Sequence, residues 1–285
     1  MSLDAVITGA STGIGRSAVK VLVGHGWRVF AGVRKVADAE SLRQEFGEAV
    51  EPLLFDVTDA DAVQRAAEET RVKLGGRTLK GLVNNAGVAT GGPLAHQPIG
   101  QIRWAFEVNA LGPVTVSQAF IPLLGADPSL SGGPGRIVNI SSVAGRIAAP
   151  FLGDYAMSKH ALEAFSDSLR RELMIYGIDV IVIGPGSIAT PIWDKAEATD
   201  DSAYADTDYA PVLKRFKAGF VRRGREGLPA ERLGETILLA LTAARPRARY
   251  VVLRNRLVNW TLPMLLPKRV LDRLIARALR LTRRA

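Results

Sequence analysis

The feature that most constrains the fold of this chain is a repeated alternation of short apolar runs with amphipathic helical patterns. Runs of strand length, rich in Val, Ile and Leu, lie at residues 5–8, 27–33, 50–55, 79–84, 136–140, 179–183 and 248–253. Helical patterns between them include residues 14–24, 59–74, 154–176 and 230–243. Strands that are apolar on both faces are typical of a parallel sheet, whose neighbouring strands need crossover helices. The pattern therefore predicts an α/β fold, a single doubly wound parallel sheet of about seven strands with helices on both faces.

The same pattern predicts how the chain is divided. No break in composition appears before about residue 254, so residues 1–253 are predicted to form one domain. Residues 186–229 are irregular and mixed in polarity, and we expect them to be a substrate-covering loop with a short helix near 212–220. Residues 254–285 are predicted to be a basic amphipathic extension.

Missing residue types and segments exclude several classes of protein. The chain has no cysteine, which removes disulfides, thiol nucleophiles and zinc sites built on cysteine. No run of eighteen apolar residues predicts a membrane-spanning helix. The amino terminus enters an apolar strand directly, without the features of a secretory signal. We therefore expect a cytoplasmic protein.

The net charge of +9 is confined to the carboxyl terminus. Residues 249–285 contain ten Lys or Arg and one acid, Asp272, so the first 248 residues are balanced. A nucleic-acid enzyme more often spreads basic residues around its active groove. No nucleic-acid partner is expected.

A glycine-rich turn follows the first predicted strand directly. Its glycines allow a tight turn and a close approach of the backbone to a pyrophosphate, and the helix that follows would direct its free N–H groups at that anion. Two hydroxyl side chains in the turn add donors. The predicted phosphate-binding residues are Gly9, Ser11, Thr12, Gly13, Ile14 and Gly15.

The same turn also matches the G-x-S-x-G elbow of serine hydrolases, with Ser11 as nucleophile. That fold needs strands and an oxyanion loop before the nucleophile, and residue 11 leaves no room for them. It also needs a late histidine, whereas the three histidines are His25, His96 and His160. A serine hydrolase remains a distant alternative.

The end of the second predicted strand carries two cations, Arg34 and Lys35, and no acid. An acid there would accept hydrogen bonds from both ribose hydroxyls of NAD and repel a 2′-phosphate. The two cations instead favour NADP(H) over NAD(H), although solvated surface cations would give the same letters.

Tyr155 and Lys159 are spaced so that both lie on one face of a helix. Hydride transfer to a carbonyl produces an alkoxide, which needs an acid beside it. The pKa of a free tyrosine is about 10, and a nearby cation lowers it. We therefore predict Tyr155 as general acid and base, with Lys159 lowering its pKa and contacting the nicotinamide ribose.

At this point a resemblance becomes specific. The ordered set Thr8-Gly9-x-x-x-Gly13-x-Gly15, Asn84-Asn85-Ala86-Gly87, Asn109, Ser142, Tyr155-x-x-x-Lys159 and Pro185-Gly186 resembles the motifs of the short-chain dehydrogenase/reductase superfamily over residues 4–253. The resemblance implies a Rossmann-type fold, with cofactor and substrate at the carboxyl ends of the strands. It implies that Ser142, thirteen residues before the tyrosine, holds the substrate oxygen, with Ser141 as its neighbour. It also implies that Asn109 bends a helix, so that its carbonyl holds a water that relays protons to Lys159.

Further cofactor contacts are implied by the resemblance alone. Asp56 and Val57 match an adenine-binding pair, and Asn85, Ala86 and Gly87 match the adenosine-side wall. The nicotinamide side is matched by Pro185, Gly186, Ile188 and Thr190. Gly184 departs from the bulkier or acidic residue that many relatives carry there. No metal is expected.

The tail extends the resemblance to the hydroxysteroid and retinol dehydrogenase branch, which handles bulky apolar alcohols and ketones. From Lys268, a helical pattern carries Val270, Leu271, Leu274, Ile275, Ala278 and Leu281 on one side, and Arg269, Arg273, Arg277, Arg280 and Arg284 on the other. Such a helix suits an anionic membrane surface, or packs on the domain or a second subunit. Relatives are often dimers or tetramers, so a homo-oligomer is expected.

The residues therefore predict an NADP(H)-dependent oxidoreductase. Its expected substrate is a small-molecule alcohol or ketone with a bulky apolar body, and the protein is expected to act on the CH–OH or C=O group. A second class stays open: a regulatory or scaffold protein on the same fold that binds NADP(H) without turnover.

Overall fold

The computed structural model describes residues 3–281 and contains one seven-stranded, fully parallel sheet. Its strands are β1 Leu3–Thr8, β2 Trp27–Val33, β3 Val50–Leu54, β4 Gly81–Asn84, β5 Arg136–Ile140, β6 Asp179–Pro185 and, after two short strands, β9 Arg249–Val252. The short strands β7 Ile188–Ala189 and β8 Leu228–Pro229 pair with each other in a separate sheet. The predicted α/β fold is confirmed.

The helices cover both faces of the sheet. They are α1 Gly13–Gly24, α2 Val36–Phe46, α3 Ala60–Leu74, α4 Ile99–Phe106, α5 Gly112–Phe120, α6 Gly153–Glu172, α7 Ile192–Ala198, α8 Ala210–Arg225, α9 Glu231–Thr242, α10 Leu262–Leu265 and α11 Lys268–Leu279. One apolar core lies between the sheet and α1, α2 and α9, and a second lies between the sheet and α3, α5 and α6. Strands buried from both sides explain why their sequences are apolar almost throughout.

The order of the strands, β3-β2-β1-β4-β5-β6-β9, places the functional edge of the sheet. The chain moves outward from β1 to β3 and then crosses back to β4 on the other side of β1. Such a reversal leaves a crevice at the carboxyl ends of β1 and β4, because the crossover helices diverge there. The glycine turn and the Asn85 segment, which follow these two strands, therefore meet in one crevice.

The loop predicted at 186–229, called the lid below, contains more helix than the sequence predicts. The short helix expected at 212–220 is α8, which begins at Ala210 and ends at Arg225, and α7 was not predicted. The two helices pack on each other through aromatic side chains: the Trp193 ring on α7 lies 5.0 Å from the Phe220 ring on α8, and Phe216 stacks on Phe220 within α8 at 5.4 Å. A contact between two segments leaves no recognisable pattern in the sequence of either segment alone.

The carboxyl-terminal segment folds against the lid rather than into the sheet. After β9 come a π-helical turn, Leu257–Thr261, then α10 and α11. Leu279 and Leu281 pack on the lid cluster around Phe216, whereas Leu274 stays half exposed. Leu281, predicted on the helix, follows its end, and the predicted Arg284 lies outside the described residues. Within residues 3–281, we find no helix with the length and apolar character needed to cross a membrane.

Candidate active site

The glycine turn between β1 and α1 forms the floor of the crevice. Gly9 and Gly13 have φ of +63° and +58°, in the left-handed region that side chains disfavour. A Cβ at Gly9 would lie 2.8 Å from the Ala86 Cα atom, so the turn and the segment after β4 are in direct backbone contact. α1 begins here with Thr12 as N-cap, without a capping side chain or an acid in its first turn. Its first N–H groups are therefore available to an anion.

The segment after β4 fixes this turn through side-chain hydrogen bonds. The Asn85 amide nitrogen donates to the carbonyls of Thr8 at 2.9 Å and Gly9 at 3.1 Å, and the Thr8 hydroxyl accepts from the Ala86 N–H at 2.9 Å. On the opposite side, a Cβ at Gly13 would touch the Thr190 side chain at 3.4 Å. The turn thus lies between Asn85–Ala86 and Thr190, two of the regions that the resemblance assigns to the cofactor.

The other predicted contacts lie around this turn. Ile14 and Ile188 belong to the core beneath it, and Pro185 is buried at the end of β6. The Ser11 carbonyl accepts a hydrogen bond from the Arg16 guanidinium at 3.2 Å. This contact helps to order the turn and is not visible in the sequence. The Val57 side chain is buried, which leaves only its backbone for a ligand.

The end of β2 presents exposed positive charge. The Arg34 side chain is 66% exposed, and its guanidinium lies 3.4 Å from the Asp56 carboxylate. Partial burial alone would raise the pKa of Asp56, but hydrogen bonds from Thr58 and the charge of Arg34 hold it below its usual value. Lys35 is also exposed. The ionised Asp56 and the exposed Arg34 guanidinium are both accessible at the end of β2, where a ribose phosphate and an adenine could contact them.

These residues fit a nicotinamide dinucleotide. The open first turn of α1 suits a pyrophosphate, the glycine backbone leaves room for its close approach, and the cations at β2 suit a 2′-phosphate. Gly87 continues the wall toward the catalytic groups, because a Cβ there would lie 3.7 Å from the Lys159 Nζ atom. Gly186, after β6, packs directly on Leu253.

Tyr155, Ser142 and Lys159 form one cluster at the carboxyl ends of β5 and β6. The Tyr155 and Ser142 side chains are hydrogen-bonded. The Ser142 hydroxyl also accepts from the Ala144 N–H at 3.1 Å, which caps a short 3₁₀ turn, Val143–Gly145. The Lys159 Nζ atom lies 5.9 Å from the Tyr155 ring centroid and donates to the Ile140 carbonyl at 2.9 Å.

Burial sets the pKa values of this cluster. It raises the pKa of Tyr155, and the hydrogen bond with Ser142 opposes this only in part. Burial lowers the pKa of Lys159 to about 8, although the Glu163 carboxylate favours its charged form. The lowering of the Tyr155 pKa by Lys159 stays a prediction, because burial of the phenol is the larger influence here and the Lys159 Nζ atom is bonded to the Ile140 carbonyl.

Asn109 lies in a π-helical turn, Glu107–Leu111, between α4 and α5. Its side-chain oxygen accepts from the Val88 N–H at 2.8 Å, and its amide nitrogen donates to the Val88 carbonyl and to Ser158. Four residues later stands Pro113, which has no N–H to bond the Asn109 carbonyl as an α-helix would require. Pro113 is the residue from which this bend could have been predicted.

The rival serine candidates have no supporting geometry. Ser141 is buried, and its hydroxyl has no hydrogen-bond partner in residues 3–281; it points at Gly145 rather than at Tyr155. His25 and His160 bond carbonyls of their own helices and His96 packs on Tyr209, so Ser11 has no histidine base among the described residues. No group of three or more His, Asp or Glu between residues 3 and 281 is arranged to hold a metal ion.

Comparisons with known proteins agree with this geometry. A family model described as short chain dehydrogenase matches residues 4–201. The chain is 40% identical over 276 residues to the NADPH-dependent 3-dehydrocapnine reductase of Ornithobacterium rhinotracheale, covering 97% of each chain. It is 36% identical to mouse retinol dehydrogenase 5, over 93% of this chain and 85% of that one.

Solved structures show the same fold. A short-chain dehydrogenase from Burkholderia cenocepacia in complex with NADP matches with a TM-score of 0.73 at 23% identity, over 96% of this chain and 97% of that one. A short-chain dehydrogenase/reductase from Burkholderia phymatum in complex with NAD matches with a TM-score of 0.76 at 24% identity, over 96% and 95% of the two chains.

Proposed function

The chain belongs to the short-chain dehydrogenase/reductase family, and from that membership we propose that it is an NADP(H)-dependent oxidoreductase interconverting a bulky apolar alcohol and its ketone. The observation that carries the proposal is the cluster of Tyr155, Ser142 and Lys159 beside the glycine turn. It offers a proton donor, an oxygen-binding hydroxyl and a cation, which a protein that only bound the cofactor would not need.

In this mechanism the bound nicotinamide supplies or accepts the hydride. The Ser142 hydroxyl, already hydrogen-bonded to Tyr155, holds the substrate oxygen against the phenol. Tyr155 gives its proton to the oxygen in reduction and takes it back in oxidation. Because burial raises its pKa, the phenol is protonated at neutral pH and ready to donate.

Lys159 and Asn109 support this proton transfer. A charged Lys159 favours the tyrosinate left after donation. The Asn109 carbonyl, which has no α-helical donor because of Pro113, is the group that we expect to hold a water between the lysine and solvent.

The exposed charge at the end of β2 supports NADP(H) over NAD(H). Arg34 and Lys35 lie where the 2′-phosphate of a cofactor bound at the glycine turn would be, and the relative from Ornithobacterium rhinotracheale is named as NADPH-dependent. We expect Arg34→Ser with Lys35→Ser to raise KM for NADPH about tenfold or more and to leave KM for NADH almost unchanged, since charged hydrogen bonds contribute about 1.5–3 kcal/mol each. Arg43→Ser, an exposed cation on α2, is the control.

An apolar substrate is supported by the residues beside the catalytic helix. Leu94 is half exposed and packs on Gly153, two residues before Tyr155. In the lid, the aromatic side chains of Trp193, Phe216 and Phe220 pack on one another. The relative retinol dehydrogenase 5 is named for an apolar alcohol.

Turnover separates this proposal from the scaffold alternative. NADPH oxidation is measured with a panel of steroids, retinoids, quinones and small ketones. We expect turnover that falls by about a thousandfold or more in Tyr155→Phe, since general acid catalysis contributes about 10²–10⁴-fold. Tyr176→Phe, an exposed tyrosine in the 3₁₀ turn that follows α6, is the matched control. NADPH binding without turnover on any compound would favour the scaffold instead.

The carboxyl-terminal extension supports a peripheral contact with an anionic membrane. Leu257 and Leu265 are 64% and 76% exposed, and Lys268, Arg269 and Arg273 follow on α11. Exposed apolar side chains beside cations are typical of interfacial helices. Full-length protein is expected to co-sediment with anionic vesicles in a salt-sensitive way and to lose this on deletion of residues 268–285. Absence of binding with a concentration-dependent dimer or tetramer would assign the surface to a second copy.

A further inference from the structure

A buried ion pair lies next to the cluster of Tyr155, Ser142 and Lys159. Glu163 follows Lys159 by one helical turn on α6 and is 5% exposed. Its carboxylate is paired with the guanidinium of Arg249, the first residue of β9, and with Arg146 at 3.3 Å. A carboxylate this buried is stable as an ion only with such partners.

Arg249 connects this pair to the catalytic serine. While one guanidinium nitrogen bonds Glu163, the other lies 3.4 Å from the Ser142 carbonyl. The planar guanidinium can hold both acceptors because its N–H groups point in fixed directions. On its outer side, the Trp260 ring covers the group, with Cζ 4.9 Å from the ring centroid.

Gly184, the position that departs from many relatives, makes this connection possible. A Cβ at residue 184 would lie 2.5 Å from the Arg249 Nη2 atom and 3.5 Å from the Ser142 carbonyl oxygen. Any side chain there would displace the guanidinium from its place between β6 and the serine. The departure at Gly184 and the arginine at 249 therefore form one arrangement.

We propose, on the basis of the proposed function, that Glu163 and Arg249 are positioning residues: Arg249 fixes the Ser142 backbone, and the balance of the two charges controls the protonation of Lys159. The groups around Lys159 support the second part. Tyr155 and Glu163 face it from its own helix, and Arg146 and Arg249 act through Glu163. The remaining contacts among the described residues are neutral: the Ile140 carbonyl, Gly87 and the nearby Asn109 amide.

The charges predict shifts of opposite sign, which a merely structural role would not produce. Glu163→Gln removes the negative charge and leaves Arg249, so the pKa of Lys159 falls. Arg249→Met leaves Glu163 less neutralised, so the pKa of Lys159 rises. If a charged Lys159 is required, the alkaline limb of the kcat profile moves to lower pH in the first variant and to higher pH in the second.

The experiment measures kcat and KM against pH for both variants, with Arg256→Met, an exposed arginine beyond β9, as the control for loss of a cation. In Arg249→Met we expect kcat to fall about tenfold, since a displaced Ser142 misplaces the substrate oxygen. In Gly184→Ala, which moves the guanidinium without removing charge, we expect the loss in kcat without a shift of the limb. Arg249→Lys should retain the limb and lose kcat, because an ammonium cannot hold both acceptors.

A measurement without substrate separates this proposal from the proposed function. The titration of Lys159 is followed by NMR of lysine-labelled full-length protein, assigned with Lys159→Met. Opposite shifts in Glu163→Gln and Arg249→Met support the charge balance even if no substrate is turned over. Shifts in the same direction, or none, in variants with native near-ultraviolet circular dichroism would overturn it; unchanged kcat in both Arg249→Lys and Gly184→Ala would overturn the hold on Ser142.

Discussion

Residues 3–87 contain β1 to β4 and are called the cofactor half below. This half and the lid, residues 186–229, are stabilised by different kinds of contact. In the first, backbone groups are fixed by other backbone groups and by short polar side chains, as where Asn85 binds the carbonyls of Thr8 and Gly9. In the second, α7 and α8 pack on each other through aromatic side chains, such as the edge-to-face contact of the Trp193 and Phe220 rings. The cofactor half is thus fixed by hydrogen bonds between backbone segments that are distant in sequence, whereas the lid is held by contacts between its own helices, the aromatic packing and the ion pairs of Arg225 with Asp194 and Glu197.

This contrast predicts that the lid opens locally while the cofactor half unfolds with the whole domain. Phe30→Ala, in the core of β2, should lower the free energy of unfolding by about 4 kcal/mol. Phe216→Ala removes the same atoms from the lid, and we expect a global loss below about half of that, together with a raised KM for substrate. Urea denaturation and hydrogen exchange of residues 186–229 measure the two effects. Equal global losses would show that the lid and the sheet unfold together.

The helix α6 lies between the two regions in the sequence. Its buried Lys159 is proposed to serve the reaction, and we expect the same side chain to lower the free energy of unfolding. The pKa of Lys159 is about 8 in the folded protein and near 10.5 when unfolded. Between these values the unfolded chain binds more protons, so the stability of the wild type rises with pH across that window. Lys159→Met lacks this rise, and its stability advantage, about 3 kcal/mol below pH 8, should shrink toward pH 10.5.

Urea denaturation at a series of pH values measures this difference. Lys195→Met, which removes an exposed lysine from α7, should instead follow the wild-type curve. Parallel curves for the wild type and Lys159→Met would contradict the lowered pKa.

The smallest expected change in stability comes from glycine substitutions, which measure how far backbone geometry alone stabilises the cofactor half. Gly9→Ala combines an unfavourable φ with a clash against the Ala86 backbone, and should cost about 2–3 kcal/mol of stability and weaken NADPH binding. Gly26→Ala has a similar φ of +79° but open space, so it should cost only about 1 kcal/mol and leave NADPH binding unchanged. Equal costs, read from thermal unfolding and NADPH titration, would show that the close approach at Gly9 has no energetic weight.

The same contrast explains which parts of the fold could be predicted from the sequence. The strands at 27–33 and 136–140 were predicted with the bounds that the structure has, and the other five sheet strands within one or two residues, because a doubly buried strand has an unbroken apolar run. In the lid, α7 was missed and α8 was predicted seven residues too short. The helix α7 has only seven residues, too few for a helical period to be visible, whereas α8 has a clear apolar period and its last residue, Arg225, is paired with α7 by contacts that the local sequence does not predict.

The candidate site divides in the same way. Tyr155, Lys159 and the glycine turn were predictable because each acts through neighbours in the sequence. The pair of Glu163 and Arg249 was not, because 86 residues separate them and only the sheet brings β9 beside α6. The burial that raises the pKa of Tyr155 was not predictable for a related reason: the spacing to Lys159 is visible in the sequence, whereas burial is a property of the folded domain.

The position of Arg249 on the last strand has a consequence for how the protein is made. A ribosome releases the chain from the amino terminus, so β1 to β6 and helix α6 emerge well before β9. During that interval Glu163 lacks its partner Arg249 and keeps only the half-exposed Arg146 within ion-pair distance, so burying it is less favourable. We therefore expect the nascent chain to delay closure of the catalytic region until synthesis is almost complete. Chains that stop short of residue 249 would then keep α6 loosely packed, and this exposed helix would mark them as incomplete before any cofactor binds.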